Sequence, residues 1–414
     1  MKLTVFQKKL FFWLFLGLLV RFLLMPFFAH GDIIAVHRRV EQIACQGRSL
    51  LDFGALGVHG LELVFTKISS FFVPCSMLSG IQESFYNAPF LNRMLFFFKL
   101  PYLLFELGYW ALIWLIFKKE AEEKKRRIAF FLAFNPVILY SVYIFGRFET
   151  YPIFFSTLIL FLLNKMKKVK FGPVLLISLM MAFILDIRQS YLFILPALAI
   201  VFGGLSLWGI LTLVFSGGIF LASGMLPKLL ASGSKFFPIA GSLESGMHTN
   251  YIFQGAIDIS QGRLIYFFLL LVGIILIWWL EKRKILAKLN RMELFSLFAV
   301  LIFLSYYATS IFHPQYLSWV MPFFLVLMVK DEKGFLWRSF WWSLPFYFLF
   351  VLSWGNATTF GTLFPVSLAF KQIEPGWFFP IYPMIKWANI GLSVFAAFCL
   401  YWIFYLLRKY GQDN

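Results

Sequence analysis

The sequence predicts an all-α, polytopic membrane protein, a bundle of about 12 transmembrane helices forming a single integral membrane domain. Three observations predict it. Of 414 residues, 61% are hydrophobic and only 14% charged, whereas soluble domains carry roughly 25% charged residues and under half apolar ones. The apolar residues gather in long runs, and the cations gather in short runs between them. A soluble fold could not hide this much apolar surface, because surface grows too slowly with chain length.

A helix needs roughly 20 apolar residues to cross hydrocarbon, fewer where neighbours bury its ends. The runs read as spans near 9–29, 96–117, 127–146, 150–164, 172–186, 190–205, 207–225, 264–280, 294–311, 315–330, 337–355 and 386–408. Two of them, 150–164 and 172–186, are short, and 172–205 reads equally as a broken re-entrant pair. The first run lacks a small-residue cleavage site and reads as a retained helix, not a signal peptide.

Orientation follows from the basic runs KKEAEEKKRR at 118–127, KMKKVK at 165–170, EKRKILAKLNR at 281–291, KDEKGFLWR at 330–338 and RKY at 408–410. With the N-terminus in the cytoplasm all of them fall inside, as the positive-inside rule asks. A miscount by one span would throw several outside. Both termini are therefore expected in the cytoplasm. The long segments 30–95, 226–262 and 355–385 are expected on the outer, periplasmic face. On this reading the +18 net charge serves topology. No groove-reading element or basic face points to nucleic acid, which is not expected as a partner.

The first outer segment contains an amphipathic stretch, DIIAVHRRVEQIACQG. Ile33, Ile34, Val36, Val40, Ile43 and Ala44 form a helical stripe, with His37, Arg38, Glu41 and Gln42 mostly on another side. Such a helix suits a membrane surface. Cys45 and Cys75 share this segment, either bridged or as free thiols, and Cys399 sits in an apolar span. Three cysteines make neither a disulfide framework nor a metal motif.

Ionisable groups in or beside the membrane are the informative ones, since each costs roughly 2.5–3.5 kcal/mol at mid-bilayer. Arg21 and Glu106 lie at similar depth in the first two spans and are expected to form a structural ion pair. The rest collect at outer turns: Asp32 after the first span, Arg147 and Glu149 in IFGRFETYP, Asp186 and Arg188 in LDIRQSYLFILP, Arg263 in the second long loop, and His313, Gln315 and Tyr316 in FHPQYLSWVMP. Each alone reads equally as a solvated turn residue. Their joint placement on one side points to a site. His313 has no partner at metal-ligand spacing and reads as a structural histidine. A divalent cation held by carboxylates such as Asp32 and Glu149 stays open. No Gly-rich phosphate loop, nucleophile elbow or kinase-type set is present, so a soluble nucleotide donor has no visible site.

Four stretches resemble the GT-C superfamily of membrane glycosyltransferases, which use sugars carried on polyprenyl or dolichyl phosphate. LLVRFLLMPFFAHGDIIAVHRRVEQIACQG is similar to the family's first-helix Arg and the acid that opens its first outer loop. YNAPFLNRMLFFFKLPYLLFELG resembles a Lys-x-Pro stretch followed by an acid in helix two. FNPVILYSVYIFGRFETYPIFF resembles an Asn-Pro helix ending in Gly and an acid, and FHPQYLSWVMPFF is close to a pattern of mannosyltransferase-like members. The resemblance covers 1–225 with its outer loop, plus 312–324. The remainder of 226–414 reads as a variable module. Gly-Arg-x-Glu stands here where the family usually has Gly-Gln-x-Asp, Glu106 replaces the common Asp of helix two, and Arg188 replaces a frequent Lys.

The resemblance implies an inverting sugar transfer, mannose first among the candidates. The partners would be a polyprenyl-phosphate sugar, membrane lipid, and a glycan, glycolipid or protein acceptor. Asp32 would be the general base and Glu149 a second catalytic acid. Arg188 would bind the donor phosphate, with Arg147 and Arg263 as rivals, and His37, His313, Gln315 and Tyr316 would line the substrate. A multi-span transporter or lipid flippase is the rival reading, and a structural membrane subunit the third. A transporter would favour repeated halves and polar residues at the midplane, and the sequence has no evident repeat.

Overall fold

A computed structural model of the chain describes residues 5–53, 56–83, 90–204, 206–222, 256–259, 262–310, 312–373 and 383–412. Among the described residues it is helical, apart from one short antiparallel hairpin of β1 (Ala256–Ile259) and β2 (Gly262–Ile265). Four helices are long and apolar enough to cross a membrane by length and composition: Leu91–Ile116, Glu122–Ile144, Arg291–Thr309 and Met384–Gly411. Shorter apolar helices stand at Thr150–Lys165, Phe171–Ile187, Gln189–Val201, Leu207–Phe220 and Pro314–Val329. Val5–Leu24, Tyr266–Leu286 and Phe335–Val351 are helical as well. A helical segment thus stands at every position where an apolar run suggested one. The segment 226–262, expected on the outer face, lies outside the described residues except for β1 and the first residue of β2.

The chain folds as two compact units whose pieces interleave along the sequence. The first takes Met1–Phe154, Pro314–Ser318 and Leu349–Asn389, and the second takes Phe155–His313, Trp319–Phe348 and Ile390–Asn414.

In the first unit α1 (Val5–Leu24) packs on α5 (Glu122–Phe134). The approach is close because Gly17 meets Ala133: a Cβ at Gly17 would come within 2.7 Å of the Ala133 Cβ. Membrane helices use small residues in this way, since lipid offers no hydrophobic drive between them. The opposite side of α1 exposes Phe11, Phe12 and Phe15, a surface that water would penalise and hydrocarbon would not.

Beyond α1 come α2 (Gly31–Ala44), α3 (Leu56–Ile68) and α4 (Leu91–Ile116). The amphipathic helix expected in the first outer segment is α2, but Ile33, Ile34, Val36 and Val40 are buried, together with His37 and Glu41. Its apolar stripe is spent on packing against protein, α3 included, and not on a membrane surface. Cys45 just past α2 is bridged to Cys75 in the single turn Cys75–Leu78. Cys399 is buried and free. A thiol titration follows: denatured, unreduced protein should show one thiol and reduced protein three. Three thiols before reduction would dismiss the bridge.

The α5 helix stops at Asn135, whose side chain accepts hydrogen bonds from Val137 N (3.0 Å) and Ile138 N (3.4 Å). This cap restarts the helix at Pro136, which has no N–H to lose. The chain then widens into a π-helix over Leu139–Ile144. Such wide turns are rare and gather at functional sites. Gly146 ends it at φ +79°, a left-handed conformation that glycine adopts without steric cost.

The second unit holds most of α6 (Thr150–Lys165), α7 (Phe171–Ile187), α8 (Leu195–Val201), α9 (Leu207–Phe220), α10 (Tyr266–Leu286), α11 (Arg291–Thr309), α12 (Met321–Val329), most of α13 (Phe335–Val351) and the end of α14 (Met384–Gly411). Every residue of α11 from Phe295 to Thr309 is buried, as expected of a helix apolar all round. Its Ser305 and Thr309 hydroxyls turn back to the Leu301 and Ser305 carbonyls, each at 2.8 Å, so neither is left unsatisfied. On α14, Trp402 Nε1 donates to Ser339 Oγ of α13 at 2.7 Å.

Candidate functional site

Asp32 opens α2. His30 precedes the helix in an extended conformation, and its Nδ1 accepts the Asp32 N–H at 3.2 Å. The His30 ring stacks on Phe145 at 4.1 Å, and the His30 backbone N–H donates to the Phe145 carbonyl at 3.0 Å. This fixes the start of α2 against the end of the π-helix. Two residues beyond Phe145, Arg147 Nη1 reaches Asp32 Oδ2 at 2.9 Å, with His30 Nδ1 at 3.4 Å from the same oxygen. The Asp32 side chain is 40% exposed and that of Arg147 16%. A pair this open contributes at most about 1 kcal/mol to stability. It is better suited to aiming a reachable carboxylate than to holding the fold.

Lys99 on α4 sets the spacing of these parts. It is fully buried, and its Nζ donates to the Phe28 carbonyl at the exit of α1 and, at 2.8 Å, to the Tyr143 carbonyl of the π-helix. Carbonyl partners are the usual refuge of a buried lysine at membrane depth. A Cβ on Gly146 would lie 3.4 Å from the Lys99 Cε and 3.5 Å from Ile33, so all three chain segments converge there. Gln315 and Tyr316 belong to the same unit. The Gln315 carbonyl accepts from Ser141 Oγ at 3.4 Å, and its side-chain Oε1 is buried with no hydrogen-bond partner. Tyr316 is half-buried. Glu149, the expected second acid, is fully buried and close enough to Tyr102 to act on it electrostatically.

Arg188, Arg263 and His313 fall in the second unit. Arg188 follows α7 with its guanidinium over the Trp319 ring at 5.9 Å. Arg263 is on β2, opposite Asp258 in register. His313 is half-buried. The expected pair inside the helices is present: Arg21 grips Glu106 through Nε–Oε2 at 2.8 Å and Nη2–Oε1 at 2.5 Å.

His37 was expected to touch substrate. It is instead 2% exposed and stacked face to face on Phe98 at 3.6 Å, so packing consumes the ring. Its Nε2 faces Glu62 Oε2 at 3.8 Å, and Tyr151 OH donates to Glu62 Oε1 at 2.8 Å. Sequence reasoning missed Glu62, whose only signal was an acid set in the apolar stretch GLELVF. Burial pushes the Glu62 carboxyl up to about 8, partly offset by the Tyr151 hydroxyl. Burial, with His59 nearby, pulls the His37 imidazole down to about 3. Both groups are thus mainly uncharged at neutral pH, which suits a dry pocket.

The signs give a pH prediction. A carboxyl whose folded pKa is raised contributes stability below pH 4.5, lost as pH rises through 8. A histidine whose folded pKa is lowered contributes stability above pH 6.5, lost as pH falls towards 3. Thermal stability should therefore peak between these flanks. Glu62→Gln should flatten the alkaline flank, worth about 2 kcal/mol in wild type between pH 6.5 and 8, where His37 no longer offsets Glu62. Melting profiles from pH 5 to 8.5 check this; an unchanged slope in the variant would disprove the assignment.

Among the described residues no group of three or more His, Cys, Asp or Glu side chains could hold a metal ion. Compared with known protein families, curated proteins and solved structures, the chain matches none of them. The case for a function therefore rests on the residues themselves.

Proposed function

We propose that this protein is a membrane glycosyltransferase of GT-C type. It would cross the membrane twelve times with both termini in the cytoplasm. It would move a sugar, mannose first among candidates, from a polyprenyl-phosphate carrier to an acceptor on the outer face. The observation that carries the reading is the half-exposed Asp32 carboxylate, aimed by Arg147 at 2.9 Å. The Cys45–Cys75 bridge supports the outer placement of this segment, because disulfides persist in oxidising compartments.

In the proposed reaction Asp32 takes the proton of an acceptor hydroxyl. The freed oxygen pair forms the bond to the sugar C1 from the face opposite the phosphate. The C1–O bond breaks with its electron pair going to the phosphate oxygen, and polyprenyl phosphate departs, inverting C1. Arg147 has a double use in this scheme. As Asp32 becomes neutral its hold on Arg147 weakens, and the guanidinium can take up growing charge on the phosphate, a task its planar fork suits. The Asp32 pairing favours Arg147 over Arg188 and Arg263 as the donor-phosphate cation. The half-buried Tyr316 would contact the sugar, and Gln315 and Glu149 would act from their buried places by orienting their neighbours.

The test is direct. Purified full-length protein in lipid is offered a panel of polyprenyl-phosphate sugars, and release of polyprenyl phosphate is followed with and without glycan acceptors. Turnover of one carrier sugar is the expected outcome. No turnover across the panel by folded protein would overturn the reading.

A further inference from the structure

The end of α14 carries a second polar centre with no part in that reaction. Asp331, in the turn between α12 and α13, has its side chain 1% exposed. Its Oδ2 accepts the Leu336 N–H at 2.8 Å, and its Oδ1 accepts from Tyr405 OH at 2.7 Å and Lys409 Nζ at 3.2 Å. Burial alone would raise this carboxyl, but these donors hold it below the usual carboxylate range. Lys409 also donates to the Lys330 carbonyl at 3.2 Å. Asp331 is thus used up internally, as the post that fixes the turn to α14.

Around this post lies a cavity of about 720 Å³. Lys330, Lys333, Arg408 and Lys409 line it with the aromatic walls Tyr401 and Tyr405; Asp331 and Glu332 are its acids. With Asp331 matched by Lys409 and Lys330 paired with Glu293 at 3.7 Å, the exposed Lys333 and Arg408 face one remaining carboxylate, Glu332. Arg408 and Lys333 are exposed, so neither is tied into the core. One and two helix turns back from Arg408, Phe404 is 61% and Tyr401 54% exposed. Residues three and four apart share a helix face. The cavity is therefore continuous with an aromatic strip on α14 that ends in Arg408.

We propose that this cavity binds the phosphate headgroup of an anionic phospholipid, with the acyl chains lying along Tyr401 and Phe404. A phosphate diester supplies the anion that the surplus cations lack, and Arg and Lys clusters at helix ends attract anionic headgroups. Aromatic rings beside such cations fit the headgroup level of a bilayer. The exposed aromatic strip selects a lipid over free phosphate, since a soluble anion would leave it uncovered.

The test uses the full-length protein in neutral detergent, with retained lipid counted by native mass spectrometry and melting followed in parallel. Probes are phosphatidylglycerol, phosphatidylcholine and inorganic phosphate. The variant Lys333→Gln/Arg408→Gln changes two exposed side chains, and Lys118→Gln/Lys119→Gln is the charge-matched control. Phosphatidylglycerol should be retained and should raise the melting temperature, while phosphatidylcholine does neither. The pocket variant should bind phosphatidylglycerol roughly tenfold or more weakly, with its lipid-free melting unchanged, and the control should behave as wild type. Equal retention of both lipids, an unaffected pocket variant or an equal loss in the control would overturn the proposal. Inorganic phosphate matching phosphatidylglycerol in both readouts would overturn the lipid assignment.

Discussion

Asp32→Asn is expected to lower sugar transfer by about 10³-fold, the middle of the range for a positioned general base, while the protein still folds and inserts. The substitution keeps the shape of the side chain and removes the proton acceptor. Stability should change little, for two reasons. The Asp32–Arg147 pair is too exposed to hold the fold, and the lost charge at the start of α2 costs only about 0.3–1 kcal/mol. The N-cap belongs to His30, which the variant retains. A fall in kcat with an unchanged melting temperature is therefore the signature. Transfer within a few-fold of wild type would remove Asp32 from the mechanism. Arg147→Gln separates the two uses proposed for Arg147: it should raise the KM for the lipid donor as well as lower kcat, leaving acceptor dependence alone.

Much of this architecture was legible in the sequence because hydropathy is a local signal. Each apolar run could be read without knowing its neighbours, and a helix stands at each. What escaped is what depends on contact. Asp32 and Arg147 were picked out separately, but they are distant in sequence, and no spacing rule says that a π-helix and Gly146 bring one to the other. His37 was misread for the same reason: a histidine on the polar side of an amphipathic helix looks solvent-facing until Phe98 and Glu62 close over it. Glu62 was overlooked because one acid in a segment read as a loop resembles a solvated residue unless burial is known. The Cys45–Cys75 pairing could not be decided from two positions in one loop, since both bridged and free states fit that spacing.

Glu106→Gln is expected to be the most damaging change within the helices, costing about 3–5 kcal/mol and reducing the yield of folded protein. The reason lies in the accounting of Arg21. Its guanidinium has five N–H donors, and all have acceptors: both Glu106 oxygens, the Gly17 and Ala133 carbonyls from Nη1 at 2.8 and 2.7 Å, and the Leu132 carbonyl from Nη2 at 2.9 Å. Trp110 covers its face at 4.6 Å, and Tyr143 OH donates to Glu106 Oε2. Neutralising the carboxylate strands a cation with 0% exposure. Arg21→Lys should be nearly as harmful, because an ammonium has three donors and no fork to span both Glu106 oxygens. Replacing both partners with methionine should recover part of the loss, since no charge is then buried alone. The recovery should stop short of wild type. Leu132 and Ala133 lie in the last turn of α5, where carbonyls have no partner within the helix, and Arg21 is what satisfies them. Melting of the single and double variants in detergent measures this as a coupling energy. Strictly additive losses would mean that Arg21 and Glu106 act independently, and would refute the pairing as the device that joins the first two long helices to the end of α5.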